Sequence, residues 1–257
     1  MRILSLNGNG IRASIKKGLV RWWETTQADL LLFQEVRFED ADFLAQAFPG
    51  CWTSLHSAAK KGYSGVAVIS KRPPLRVSHG MGQPEYDSEG RVMRIDFPDV
   101  TLLNVYFPSG ASKPERQAFK LRFLTDFRAY VARVEAEVPR IIIGADWNMC
   151  HRAIDIHNPI RLDGVPGFTQ EERSWLDALE DSGWRDAFRL FHSEGEQYTW
   201  WSLQSRSRER NVGWRIDGFW LSPAAVAGAQ RCVHLTQAIL SDHCPVLLEW
   251  DLPTTFE

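Results

Sequence analysis

The chain has 257 residues, 44% apolar and 24% charged, with a formal net charge of −2. Those are the proportions of an ordinary soluble globular protein, and no apolar run approaches the ~18 residues of a membrane span. The near-neutral balance argues against a large non-specific nucleic-acid footprint while leaving room for a local one.

The opening "MRILSLN" lacks the basic region and long apolar core of a signal peptide. The strand pattern starts at once, with "RILSLN" (2–7). An amphipathic helix is predicted over Ile11–Gln27. The strands "DLLLFQE" (29–35) and "SGVAVIS" (64–70) follow, and then "RVMRIDFPDVTLLNVYF" (91–107), a hairpin turning at "PD". The segment 113–137 opens on Lys-Pro and carries apolar residues at three-and-four spacing, which predicts a long helix. "RIIIGADWN" (140–148) is a strand. "TQEERSWLDALEDSG" (169–183) has the threonine, early acids and closing glycine of a capped helix. The arginine-rich "SLQSRSRERNVGWR" (202–215) has the charge pattern of a solvated loop, and "WRIDGFWLS" (214–222) and "CPVLLEW" (244–250) are the last strands. Strands that are both adjacent and helix-separated imply mixed sheets with helices outside, in a single α/β domain over 1–257. Cys51, Cys150, Cys232 and Cys244 form no CxxC pair, so they read as reduced thiols of a cytoplasmic protein.

One pattern points to chemistry. "RILSLN" ends at Asn7, "DLLLFQE" at Glu35, "VTLLNVYF" reaches Tyr106, "RIIIGADWN" runs into Asp146 and Asn148, "WRID" reaches Asp217, and Asp242–His243 precede the last strand. A single Asp or Asn after a strand is ordinary turn chemistry. Six strand ends that repeat the pattern suggest one sheet edge carrying a site. Carboxylates without cysteine ligands suit hard cations such as Mg²⁺ or Mn²⁺. A histidine beside a carboxylate suits proton transfer or charge stabilisation.

These stretches, in this order, resemble the exonuclease III/AP endonuclease family of the endonuclease/exonuclease/phosphatase superfamily. The resemblance rests on "NGNGIRA", "FQEVR", "GYSGVAV", "VYFPSG", "ADWNMCHRAIDI", "GFTQEER", "YTWWS", "NVGWRID" and "SDHCPV", which together span nearly the whole chain. It implies a four-layer α/β sandwich of two packed mixed β-sheets flanked by helices, and a phosphodiesterase using Mg²⁺ or Mn²⁺. Position by position, it implies Glu35, Asn9 and Asp242 at the metal or its waters and Asp146 at the attacking water, with Asn148 beside it. It sets His243, oriented by Asp217, at the scissile phosphate, with Asn7 and Tyr106 as the remaining polar neighbours. Trp200, Trp214 and Ile216 fall where relatives form an apolar pocket for a flipped-out abasic sugar. Arg215 and the arginines of the 202–215 loop are expected at the flanking phosphates.

The function implied is incision 5′ to an abasic site, 3′→5′ exonuclease action and removal of 3′ phosphate or other 3′ blocks in DNA repair. The partner is duplex DNA carrying abasic sites or 3′ ends, met by a monomer away from membranes. The chain departs from the family pattern at Gly8, Ala145 and Gly218, at Ser109, and in the loop "HNPIRLDGVPG", where Leu162 and Val165 replace expected asparagines. The departures bear on contacts to the DNA backbone and leave open an alternative, a 3′-end-processing exonuclease/phosphatase with little abasic activity. A non-catalytic nucleic-acid-binding regulator on the same fold should lack several site residues, and all are present here.

Overall fold

The computed structural model describes residues 1–252. In chain order its strands are β1 (Arg2–Asn7), β2 (Leu30–Gln34), β3 (Trp52–His56), β4 (Val66–Ser70), β5 (Arg76–His79), β6 (Val92–Asp96), β7 (Thr101–Tyr106), β8 (Ile141–Asp146), β9 (Arg185–Asp186), β10 (Trp200–Trp201), β11 (Gly213–Trp214), β12 (Asp217–Leu221), β13 (Ala229–His234) and β14 (Val246–Trp250). The helices are α1 (Ile11–Lys16), α2 (Leu19–Thr26), α3 (Ala41–Ala47), α4 (Pro84–Asp87), α5 (Pro114–Glu137), α6 (Gln170–Asp181) and α7 (Pro223–Val226).

Two six-stranded sheets form, in the orders β13-β14-β1-β2-β4-β3 and β5-β6-β7-β8-β12-β9, with β10 and β11 as a separate ribbon. Each large sheet has one parallel pair at its heart, β1 with β2 and β7 with β8, and its other neighbours are antiparallel. Continuous runs such as Leu30–Phe33 and Ile141–Ile143 are buried on both faces. One face meets the opposite sheet and the other meets helices, which is why these strands show no polar alternation. Between the sheets lie Leu32, Val68, Ile95, Ile142, Phe219 and Leu248. Phe123, Phe127 and Leu176 of α5 and α6 cover the outside of the second sheet. Ile11, Leu19, Trp23 and Leu44 of α1 to α3 cover the outside of the first. The result is the expected four-layer α/β sandwich. Among the described residues no helix is long and apolar enough to cross a membrane.

The sheets approach closely at Gly144, where an added Cβ would lie 2.5 Å from Leu32 Cδ1 and 2.8 Å from Phe219 Cε1. Toward the same edge the interface turns polar. Gln34 donates to Asn104 Oδ1 at 2.8 Å and to Ser5 Oγ at 3.0 Å, while Asn104 Nδ2 donates to the Ala67 carbonyl at 2.8 Å. Each amide nitrogen thus finds acceptors inside, as buried polar groups require.

One predicted element is corrected. The helix over Ile11–Gln27 is two helices, α1 and α2, separated at Gly18, whose φ of +95° breaks the right-handed path. Helix 113–137 and the 91–107 hairpin form as expected, and α6 has the full reciprocal cap between Thr169 and Glu172.

Candidate active site

The parallel pairs bring the carboxyl ends of β1, β2, β7 and β8 to one edge, and the antiparallel β12 and β14 add their starts. Asn7, Glu35, Tyr106, Asp146 and Asn148 therefore meet Asp242 and His243 around a cleft of about 360 Å³, which Trp200, Trp214 and Ile216 also line. Asp217 stands immediately behind His243, both of its carboxylate oxygens lying 2.9–3.1 Å from Nδ1. Three residues of this edge, Asn9, Glu35 and Asn148, take left-handed backbone conformations at φ near +50°. Such conformations are unfavourable for side-chain-bearing residues and concentrate at functional sites.

Asp146 is the centre of the network. Its Oδ2 accepts from Asn7 Nδ2 at 2.7 Å and from Asn148 Nδ2 at 3.2 Å, and its Oδ1 accepts the Asn148 backbone N–H at 2.9 Å. It also pairs directly across the ladder with Asp217. Burial, and after it the Asp217 charge, push the Asp146 carboxyl up to about 7, against the opposing pull of His243, Asn7 and Asn148. Burial alone would lower His243. The adjacent Asp217, by charge and hydrogen bond, with Asp146 and Asp242 further off, overcomes that and raises the ring to about 10. Asp242 is half-buried, which alone would raise it, yet the His243 charge and hydrogen bonds from Asn9, Trp200 and Ser241 hold its carboxyl below the ordinary range.

Glu35 is held by Arg37, whose guanidinium hydrogen-bonds a single oxygen, Oε1. Asn9 ties the two sides of the cleft, its backbone N–H donating to Asn7 Oδ1 at 2.9 Å and its side chain to Asp242 Oδ1 at 3.1 Å. The all-oxygen donor set of Glu35, Asp242 and Asn9 fits a hard divalent cation. Asp146, Asp217 and His243 offer ligand atoms within 4.8 Å of one another. There, however, Nδ1 is engaged by Asp217, so the trio fits proton handling better than metal ligation.

Trp200 and Trp214 face each other across the β10–β11 ribbon, their rings edge to face with centroids 6.2 Å apart. Leu162 and Val165, in place of the expected asparagines, pack with both tryptophans against Cys150, Ile156, Phe168 and Ile216. The loop therefore offers apolar surface where hydrogen-bonding side chains were expected. The Gly8 departure also has a reason, since an added Cβ would lie 1.8 Å from the Phe33 ring. Around Gly218 an added Cβ would meet nothing within 4 Å.

The expectation for Arg215 is overturned. It is 7% exposed and its guanidinium is taken up inside the protein, with Nε 2.7 Å from Asp155 Oδ1 and Nη1 2.7 Å from Asp186 Oδ2. Two buried carboxylates outcompete a solvent-side ligand for one fixed guanidinium fork. Within the 202–215 loop Arg206 is open to solvent and Arg208 is turned inward onto backbone carbonyls.

Sequence reasoning missed three supporting residues. Thr199 Oγ1 accepts the N–H groups of Ile216 and Asp217 at 3.0 Å each, fixing the start of β12. Lys120, fully buried, pairs with Glu172 at 2.6 Å and donates to the Asn148 carbonyl at 2.8 Å. Arg37 sits on Glu35. Only Lys120 left a sequence signal, a cation on the apolar stripe of a helix.

Comparison with known proteins agrees with this geometry. The Endonuclease/Exonuclease/phosphatase family model matches residues 4–243. The chain is 36% identical to the DNA repair nuclease APEX1 of Danio rerio over 96% of its own length and 81% of that protein's. It is 34% identical to an exodeoxyribonuclease of Bacillus subtilis (strain 168), over 96% and 98% of the two chains. Among solved structures, the 3′-5′ exonuclease NExo of Neisseria meningitidis superposes with a TM-score of 0.89 at 25% identity, covering 98% of this chain and all of that one. The AP endonuclease LMAP of Leishmania major superposes with a TM-score of 0.88 at 26% identity, over 98% and 88% of the two chains.

Proposed function

The chain belongs to the endonuclease/exonuclease/phosphatase family, in its exonuclease III/AP endonuclease branch, and from that premise we propose how its site works. It is a DNA-repair nuclease that hydrolyses phosphodiester bonds. We read the whole chain as one catalytic domain acting on duplex DNA at abasic sites and 3′ ends. The observation that carries the reading is the convergence of Asn7, Glu35, Asp146, Asp242 and His243 on one cleft, with Asp146 held by Asn7 and Asn148. Burial and then Asp217 push the Asp146 carboxyl up to about 7, which suits it to take a proton from water near neutral pH.

Asn7 and Asn148 donate to Asp146 and fix its orientation, so one carboxylate oxygen is turned toward an attacking water. His243, raised to about 10, is charged at neutral pH and so stabilises the phosphate rather than accepting the proton. Asp217 holds that ring and its charge. Glu35, Asp242 and Asn9 would hold Mg²⁺ or Mn²⁺, which when bound supplies charge neutralisation at the phosphate and leaving oxygen. Tyr106, deep in the cleft, keeps its proton because burial and then the charges of Glu35 and Asp146 raise it well above the ordinary range. It is therefore available as a neutral donor to a phosphate oxygen. Trp200, Trp214 and Ile216 form an apolar wall that suits a sugar lacking its base.

Leu162 and Val165 favour the second reading. With apolar side chains on the loop beside the tryptophans, grip on the DNA backbone around an internal site is weakened relative to 3′-end cleaning. The two readings are separated by a labelled duplex panel bearing an abasic site, a 3′ phosphate or a recessed 3′ hydroxyl, assayed with Mg²⁺ and after chelation. Cleavage of all three that is lost on chelation supports the full repertoire. Release of 3′ phosphate without abasic incision supports the end-processing enzyme. Undiminished activity in chelator would overturn the metal assignment.

A further inference from the structure

The 202–212 loop between β10 and β11 carries Arg206, Arg208 and Arg210, and its charge suggests a grip on DNA. The structure divides these arginines. Arg206 is exposed, whereas Arg208 is folded back beneath the segment Leu235–Ser241 that joins β13 to β14. We infer that Arg208 is a positioning residue, which acts through that segment to fix Asp242 and His243 in the cleft. The inference rests on the reading of Asp242 and His243 given above.

Three backbone carbonyls converge on its guanidinium. Nη1 donates to Ser241 at 3.1 Å, and Nη2 donates to Thr236 at 2.8 Å and Ala238 at 3.2 Å. The segment 235–241 is neither helix nor strand, so these carbonyls have no ladder partner and depend on a donor supplied from elsewhere. A guanidinium presents five N–H donors in a rigid plane and serves all three at once, which a lysine ammonium on a flexible stem does not reproduce. The plane is itself fixed, its carbon 4.6 Å from the centre of the Trp201 ring. Trp201 is in turn held by Asn211, whose Oδ1 accepts from the indole at 3.1 Å.

The clamp leads directly to the site. The last carbonyl it holds belongs to Ser241, and the next two residues are Asp242 and His243. The same ribbon secures them from the other side: the Trp201 N–H donates to the Asp242 carbonyl at 3.2 Å, and the Trp200 indole donates to Asp242 Oδ2 at 3.1 Å. Arg208 thus locks the loop whose exposed arginines face solvent to the loop that carries two cleft residues. Its side chain also borders a second cavity of about 530 Å³ that shares no lining residue with the cleft. Truncating Arg208 would open its place to small solutes through that cavity.

The test compares Arg208→Ala, Arg208→Lys and the exposed control Arg206→Ala in the full chain. The measurements are kcat and KM on abasic duplex, the melting temperature, and the His243 ring NMR signals without DNA or metal. Arg208→Ala is expected to lower kcat roughly 10–100-fold, the range for losing a residue that orients a ligand from behind. KM should stay within about twofold, as for an interaction not made with the ground-state substrate. The His243 signals should shift or broaden, and Arg208→Lys should not restore kcat. Guanidinium ion at low millimolar concentration should recover part of the activity of Arg208→Ala and none of Arg206→Ala. A raised KM with unchanged kcat would make Arg208 a phosphate contact and overturn the inference. Unaltered kcat and His243 signals would overturn it too, as would a loss that follows the unfolded fraction and resists guanidinium. If the unmutated chain cleaves no DNA, the proposed function fails, while the His243 signals still decide what Arg208 does.

Discussion

Asp146 and Asp217 face each other across the β8–β12 ladder, and His243 lies against the second of them. Burial raises the Asp146 carboxyl, and the like charge opposite adds to it. With the raised His243 value this gives two contributions to stability that are lost in the same direction of pH. Folding favours protonated Asp146, a contribution complete below its ordinary 3.8 and lost as pH rises through about 7. Folding likewise favours charged His243, a contribution complete below 6.5 and lost as pH rises through about 10. Stability should therefore fall as pH climbs, while kcat should rise through about 7 and fall near 10, with the acid limb moved lower by a bound cation. A rate that instead rises through pH 10 would make His243 the base. The dyad carries a second prediction. Because Asp217 acts through His243, the double variant Asp217→Asn/His243→Asn should be little slower than His243→Asn alone. Losses that multiply would separate the two. These residues were legible in the sequence because a carboxylate or histidine at the end of a fully apolar strand demands a reason. Arg215 was misread because its partner Asp155 lies 60 residues away, and sequence proximity to a tryptophan said nothing about which way the side chain turns.

On the proposed reading, the β10–β11 ribbon and the loop over 157–167 are the elements that govern substrate choice. If the apolar wall receives a baseless sugar, Trp214→Ala should slow abasic incision at least tenfold more than 3′-phosphate release, since an end reaches the cleft without flipping. Equal loss on both substrates, with a lower melting temperature, would return Trp214 to a packing role. Behind the ribbon, Arg215 with Asp155 and Asp186 joins three separate segments. Arg215→Ala leaves buried Asp186 without its ion-pair partner and Asp155 with Arg189 alone, and should cost about 3–5 kcal/mol in urea unfolding. The specific activity of the molecules that remain folded should be nearly unchanged. At this scale the sequence showed its central strands and long helices and hid its edges. β3 is half-buried throughout and β5 is largely exposed, so neither carries an apolar run. The break between α1 and α2 depends on one glycine conformation, which a periodic pattern running on either side conceals.

Across the whole molecule the site is an effect of topology. No single segment contains it. Residues from 7 to 243 meet because each sheet places a parallel pair at its centre and an antiparallel strand beside it. That layout was legible as a class of fold from interleaved strands and helices. The sheet order was not, because pairing between distant strands leaves no trace in local periodicity. One pairing governs how the enzyme comes into being. β14 inserts between β13 and β1, so the first strand stays half-paired until the last arrives. Contacts so distant along the chain form late, after the entropy of closing a long loop has been overcome. In refolding, cleavage should return with the slowest phase, after the earlier gain in tryptophan fluorescence, and its return with the first phase would contradict this order. During synthesis the same order applies. A ribosome-bound chain that has not yet emitted residues 242–250 holds Asp146 without Asp242 and His243, so the cleft is completed only as the last described strand is made.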